Sequence, residues 1–252
     1  MLRIKKVKEF KMKVIRRSLA SVALALSGLT AGAWAEEGSA PWSISMTSAW
    51  DSRYVSEGRD NLDGDALVGG TVELETSGVL AGAWYGSSPD TEYDEMNLYV
   101  EYGAQVGDVA LAAGYTWLSF RTDDEDDHEL FAGVAYDGLP GGVRPSVEAT
   151  WSAEADGGFV EASLSGVLDP VERLAVEPFV TAGFNEGYVS DGHDGFNHVA
   201  AGLAAAVSLA EGVELSALIA YTWAVNADET RHPGDAGLED FAYGGIAITM
   251  NR

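Results

Sequence analysis

The sequence has no cysteine among its 252 residues. Disulfides, thiol nucleophiles and thiolate metal sites are therefore excluded. Lysine is absent beyond Lys13. After residue 35 the only cations are Arg53, Arg59, Arg121, Arg144, Arg173, Arg231 and Arg252. Phosphate binding needs clustered Lys and Arg, so no nucleic-acid partner is expected. The same stretch contains no apolar run near the roughly 20 residues a membrane helix needs, and no sustained 3.6-residue period. Phosphate loops, zinc signatures, dinucleotide fingerprints and the Gly-x-Ser-x-Gly elbow are all missing. Neither a cofactor nor a resident metal is expected, and no catalytic residue is assigned.

Residues 1–35 differ from the rest. Arg3, Lys5, Lys6, Lys8, Lys11, Lys13, Arg16 and Arg17 precede an apolar run from Leu19 to Leu29, which ends in Ala33-Trp34-Ala35. A basic start, a short apolar stretch and a small-x-small ending form an export signal. The expectation is a cleaved signal peptide over 1–35, cut after Ala35, and one domain over 36–252. Beyond the cut, seven cations face 39 acidic residues, a net charge near −32 against −25 for the whole chain. Self-repulsion of that size suits a salty medium or bound divalent cations.

What the chain has instead of helices is alternation. Ile44, Met46 and Trp50 share one face with Tyr54, while Ser43, Ser45, Thr47, Asp51 and Arg53 share the other. Val213, Leu215, Ala217, Ile219, Tyr221 and Trp223 alternate with Glu214, Ser216, Leu218, Ala220 and Thr222. Period-2 runs of this kind mark strands. Twelve are predicted, at 42–55, 66–76, 79–87, 94–106, 109–120, 128–137, 143–153, 158–168, 174–185, 197–209, 213–226 and 240–250. Connections alternate between short turns such as Ser77-Gly78 and longer segments rich in Asp, Glu, Gly and Asn. Short turns at one end and long polar loops at the other characterise transmembrane barrels. Lipid offers no partner for an open sheet edge, so spanning strands must close on themselves. The predicted fold is all-β: a closed antiparallel up-and-down transmembrane β-barrel of about twelve strands, behind the signal peptide. Trp50, Trp84, Trp117, Trp151, Phe184 and Trp223 fall near the ends of alternate strands, and are predicted to form an aromatic girdle at one membrane level.

The polar faces carry the functional expectation. The register directs Arg53, Glu73, Glu95, Glu101, Arg144, Glu148, Glu161, Glu177 and Glu214 into the lumen, with small residues such as Ala200, Gly202, Ala204 and Ala206 leaving space between them. Ionised carboxylates need water or partners, and rings of them favour cations. A channel for small hydrophilic solutes with a cation preference is expected, seated in outer-membrane lipid. Two alternatives stay open. One is a closed barrel whose acidic loops, such as Asp123 to Asp127, bind divalent cations. The other is an outer-membrane hydrolase using Asp191, His193, Asp194 and His198, although no nucleophile is ordered beside them. The balance favours a non-enzyme.

The end of the first strand reads Asp51-Ser52-Arg53-Tyr54-Val55-Ser56-Glu57-Gly58. It resembles the opening of the TorF-type porin family of Gram-negative bacteria, whose first strand ends in a Ser-x-Tyr segment with an arginine and a glycine. In this chain Ser56-Glu57 stand before the glycine and Arg59 follows it. The resemblance implies an outer-membrane location and a pore role, and it brings no catalytic residues.

Overall fold

A computed structural model describes residues 42–171 and 173–252; the expected signal segment lies outside the described residues. Twelve long strands are present among them: β1 (Ser43–Asp51), β2 (Leu67–Thr76), β3 (Val79–Ser87), β4 (Asp94–Val106), β5 (Val109–Phe120), β6 (Glu125–Tyr136), β7 (Val143–Ser152), β8 (Gly157–Gly166), β9 (Leu174–Glu186), β10 (Gly195–Ala210), β11 (Val213–Ala224) and β12 (Phe241–Asn251). Each pairs antiparallel with its neighbours in sequence, and β1 pairs with β12, opposing Thr47 to Thr249. The twelve long strands form a closed up-and-down barrel. Hydroxyl pairs bridge two of its seams, Thr47 to Thr249 at 2.9 Å and Ser163 to Thr181 at 2.8 Å.

Alternation dictates which face is apolar. Along β11, Leu215, Ile219, Tyr221 and Trp223 are exposed on the outside while Ser216, Leu218, Ala220 and Thr222 are buried inside. Met46, Val72, Leu98, Leu111, Leu130, Leu203 and Ile246 extend the same exposed band around the ring. A continuous apolar belt of this extent needs something other than water against it. Strands of 9 to 16 residues, at about 3.3 Å per residue and tilted, match an apolar layer of about 25 Å. Ile219 is 65% exposed at mid-strand. Ile219→Arg is expected to cost about 2–4 kcal/mol in lipid vesicles. Urea titration there, compared with the wild-type barrel, checks it; an unchanged midpoint would remove lipid from that face.

Turn chemistry sets the register at the short end. Ser77 and Gly78 sit at φ 49° and 81°, the two left-handed positions of the tight turn that matches strand twist. A Cβ on Gly78 would also lie 2.8 Å from the Gly103 carbonyl oxygen. At the opposite end, one predicted loop is shorter than expected. The acidic run is mostly strand, because β6 begins at Glu125, which opposes Phe120 across a turn at 121–124.

Two apolar clusters lie inside the ring. Val55, Phe179, Ala204, Leu218, Ala220, Phe241 and Tyr243 form one. Tyr54, Leu67, Trp84 and Tyr99 form the other. The first corrects the expectation that Ala200, Gly202, Ala204 and Ala206 leave open space. A Cβ on Gly202 would sit 2.7 Å from the Phe179 ring; the small side chains make room for large apolar ones from neighbouring strands.

Candidate functional site

After Asp51 the chain leaves the barrel wall and turns inward. Val55–Ser56 pairs with Arg59–Asp60 in a miniature hairpin, whose turn residues Glu57 and Gly58 lie at φ 47° and 72°. Tyr54, Val55, Arg59 and Asp60 are buried. Tyr54 thus belongs to the interior, not to the outer face of β1. Arg53 lies beyond β1 in this inturned segment; its guanidinium pairs with Asp60 and sits 5.1 Å over the Phe241 ring.

The hairpin is seated against β9 and β10. A Cβ on Gly58 would meet the His198 ring at 2.2 Å, and one on Gly183 would meet the other side of that ring at 2.3 Å. Only glycine on both sides allows the imidazole to lie between the two backbones. Asn197 Nδ2 donates to the Glu57 carbonyl at 2.7 Å and to His198 Nδ1 at 3.1 Å. His198 Nε2 then points toward Glu161 Oε1, 3.8 Å away.

Asp235, fully buried, ties three long loops together. It accepts from the His193 and Asp228 backbone N–H groups at 3.0 and 2.9 Å and from the His193 ring at 3.0 Å. Arg59 Nη2 lies 3.5 Å from the same carboxylate. The other Arg59 nitrogens donate to the Gly234 carbonyl at 3.1 Å and to Asn197 Oδ1 at 3.0 Å. Burial alone would push the Asp235 carboxyl up. The Asp228 and His193 donors more than offset it and hold the group below the ordinary carboxylate range.

Between these loops and the β4–β8 wall opens a cavity of about 900 Å³. Glu95, Asn97, Thr116, Glu129, Glu148, Thr150 and Glu161 line it from the strands; Tyr54, Glu57, Arg59, Tyr93 and Tyr188 line it from the loops. Among the described residues nine carboxylates border it, with Arg59 as the one arginine or lysine. Tyr54 and Tyr93 both donate to Glu95 Oε2, and Asn97 Nδ2 donates to its Oε1 at 2.7 Å. Tyr188 donates to Glu129. Burial, then the neighbouring carboxylates, push the Tyr54 and Tyr188 phenols well above their ordinary range, so both remain donors.

The predicted lumen residues separate into two levels. Glu95, Glu148 and Glu161 reach the cavity. Glu73, Glu101, Arg144, Glu177 and Glu214 point inward nearer the short-turn end and do not border it. Glu73 is buried, accepting from Tyr99 at 2.8 Å and from Ser45 at 2.9 Å. Arg144 Nε lies 2.8 Å from Asp137. Of the predicted girdle, Trp50, Trp151 and Trp223 are exposed on the outside, and Trp117 and Phe184 face outward at the same end, partly covered. Trp84 does not. It is 2% exposed and points inward, because Gly69 and Gly86 leave the space: a Cβ there would meet its ring at 2.9 and 2.4 Å. Tyr85 takes the outer position. The candidate hydrolytic groups are engaged otherwise. His193 uses Nδ1 on Asp235 and Nε2 on the Phe196 carbonyl.

The ring has the fold of outer-membrane barrels. A KdgM porin aligns with a TM-score of 0.57 at 3% identity, over 82% of this chain and 98% of its own. A NanC porin aligns with a TM-score of 0.54 at 7% identity, over the same two shares. The COG4313 outer membrane channel from Pseudomonas putida F1 aligns at 0.54 and 11% identity, over 84% and 96%. No family model and no curated protein matches the sequence.

Tyr54, Tyr93, Tyr188 and Asp235 did not stand out in the sequence as site residues. The only local signal was the turn composition of Pro233-Gly234-Asp235, which does not announce a buried carboxylate.

Proposed function

We propose that the chain is an outer-membrane protein that passes small hydrophilic solutes with a preference for cations. The observation that carries this reading is the acidic cavity at the long-loop end, nine carboxylates against Arg59. In a confined, partly desolvated space their field raises the local concentration of cations and repels anions. The outward apolar belt and outer aromatics supply the lipid contact such a role needs. The porin and channel names of proteins sharing the fold support it, as does the TorF-type likeness at Asp51 to Gly58.

Purified barrel in planar bilayers with unequal KCl on the two sides is expected to give a reversal potential on the potassium side. The paired changes Glu148→Gln and Glu161→Gln should move it measurably toward zero. Silence in repeated trials, or an anion preference, would reject the reading.

A closed barrel is the second reading. The two inward apolar clusters and the inturned 52–66 segment favour it, since both occupy lumen. It predicts no current even when the loops are displaced.

A further inference from the structure

The inturned segment fills the ring without belonging to its ladder. Val55–Ser56 and Arg59–Asp60 form a two-stranded sheet of their own, and a hairpin that short has no independent stability in water. Its backbone is bonded to the loop before β12, where the Asp60 N–H donates to the Gly237 carbonyl at 2.9 Å. Its ties to the wall are side chains. Asn197 donates to the Glu57 carbonyl and Tyr54 donates to Glu95, each at 2.7 Å. The chain leaves the wall at Ser52, whose N–H donates to the Gly244 carbonyl at 2.8 Å. It returns through Asp63 and Gly64, both left-handed at φ 51° and 94°.

Two consecutive residues carry this segment into the lumen. Tyr54 packs with Leu67, Trp84 and Tyr99 of β2, β3 and β4. Val55 packs with Phe179, Leu218, Phe241 and Tyr243 of β9, β11 and β12. Apolar surface thus closes the lumen on both flanks of β1. The cavity on the outer side borders Glu95 but none of Glu73, Glu101, Glu177 and Glu214, so it stops short of the short-turn end. We infer that the 52–66 segment is a movable plug, latched through Arg59 to Asp235, which swings out about Asp63-Gly64 to open the lumen. This rests on the cation-passage reading and supplies its regulation. Open and closed states coexist, and the fit of the hairpin in its seat sets their ratio.

Gly58→Ala tests the plug, because the added Cβ would lie 2.2 Å from the His198 ring. Gly141→Ala is the matched control: Gly141 is also left-handed, at φ 77°, but nothing lies within 4 Å of its Cβ position. Each is made with and without Val55→Cys, which gives a cysteine-free chain one buried thiol. In planar bilayers Gly58→Ala is expected to raise the open fraction about tenfold, the scale on which a strained seat shifts two states. A water-soluble methanethiosulfonate should label the thiol faster by a similar factor. Gly141→Ala should change neither, and retained heat-shifted gel mobility shows that the ring is folded. If Gly58→Ala does not assemble, Asn197→Leu, which removes the donor to the Glu57 carbonyl, is held to the same expectations. A current indifferent to the seat variant overturns the plug, whatever the thiol does, and so does an equal effect of Gly141→Ala. The two ideas fail separately. A barrel that passes cations but ignores Gly58→Ala loses only the plug. One whose thiol is freed while it conducts nothing or prefers anions loses the passage reading, and the segment then stands as a movable lid alone.

Discussion

Asp235→Ala is expected to release the 52–66 segment while leaving the barrel closed. The variant strands four donors, the Arg59 guanidinium, the His193 ring and the His193 and Asp228 backbone N–H groups, and breaking a buried charged pair from one side costs about 3–5 kcal/mol. That cost falls on the docking of three loops, because the strand ladders make no use of Asp235. Trypsin should therefore cut after Arg53 and Arg59 far faster than in the wild type, with heat-shifted gel mobility unchanged. If passage is gated by this hairpin, single-channel conductance should rise as well. An Arg59 that stays protected from trypsin would show that the hub does not hold the loop. The pH dependence has a definite sign. The folded carboxyl lies below its ordinary range, so its contribution is full above about pH 3.9 and is lost as pH falls through the depressed value. Wild-type loops should undock only in strong acid, and the alanine variant should show no such step from this group.

Trp84→Ala is expected to cost about 3–5 kcal/mol, the penalty for emptying a packed aromatic site. Trp84 packs with Tyr54, Leu67 and Tyr99, so the loss also loosens the inturned segment that carries Tyr54. Trp50→Ala, on the outer face at 45% exposed, should cost much less in lipid, where acyl chains fill the space. Urea unfolding of the two variants in vesicles compares them directly. Equal midpoints would place Trp84 back among the outer aromatics.

The contrast between these two tryptophans shows what sequence reading could reach. Strand positions were legible because backbone pairing and a one-sided apolar environment impose a period of two. Predicted spans such as 66–76, 79–87 and 109–120 fall on or within one residue of β2, β3 and β5. The sense of Trp84 was not legible: both faces of β3 carry small or aromatic residues. Its direction depends on Gly69 of the adjacent strand, which leaves the hole it fills. The start of β6 was missed for a related reason, since acidic residues at a barrel mouth pair as strand and still face water.

The cavity was the least legible part. Glu95, Glu148 and Glu161 could be placed on inward faces from alternation alone, whereas Asp235 could not be placed at all. It meets Arg59 across 176 positions of chain and His193 across 42. The inturned Ser56–Arg59 hairpin has its own turn chemistry in Glu57-Gly58, yet its seat between Gly58 and Gly183 around His198 exists only once β9 and β10 are side by side.

By itself, then, the sequence determined an acidic, cysteine-free chain of alternating strands and short turns, because those features are local and obey the spacing of a single strand. Only the tertiary structure decided which side chains fill the ring and how three loops meet on one carboxylate. Those outcomes depend on contacts between strands far apart in the chain, and no local pattern encodes them.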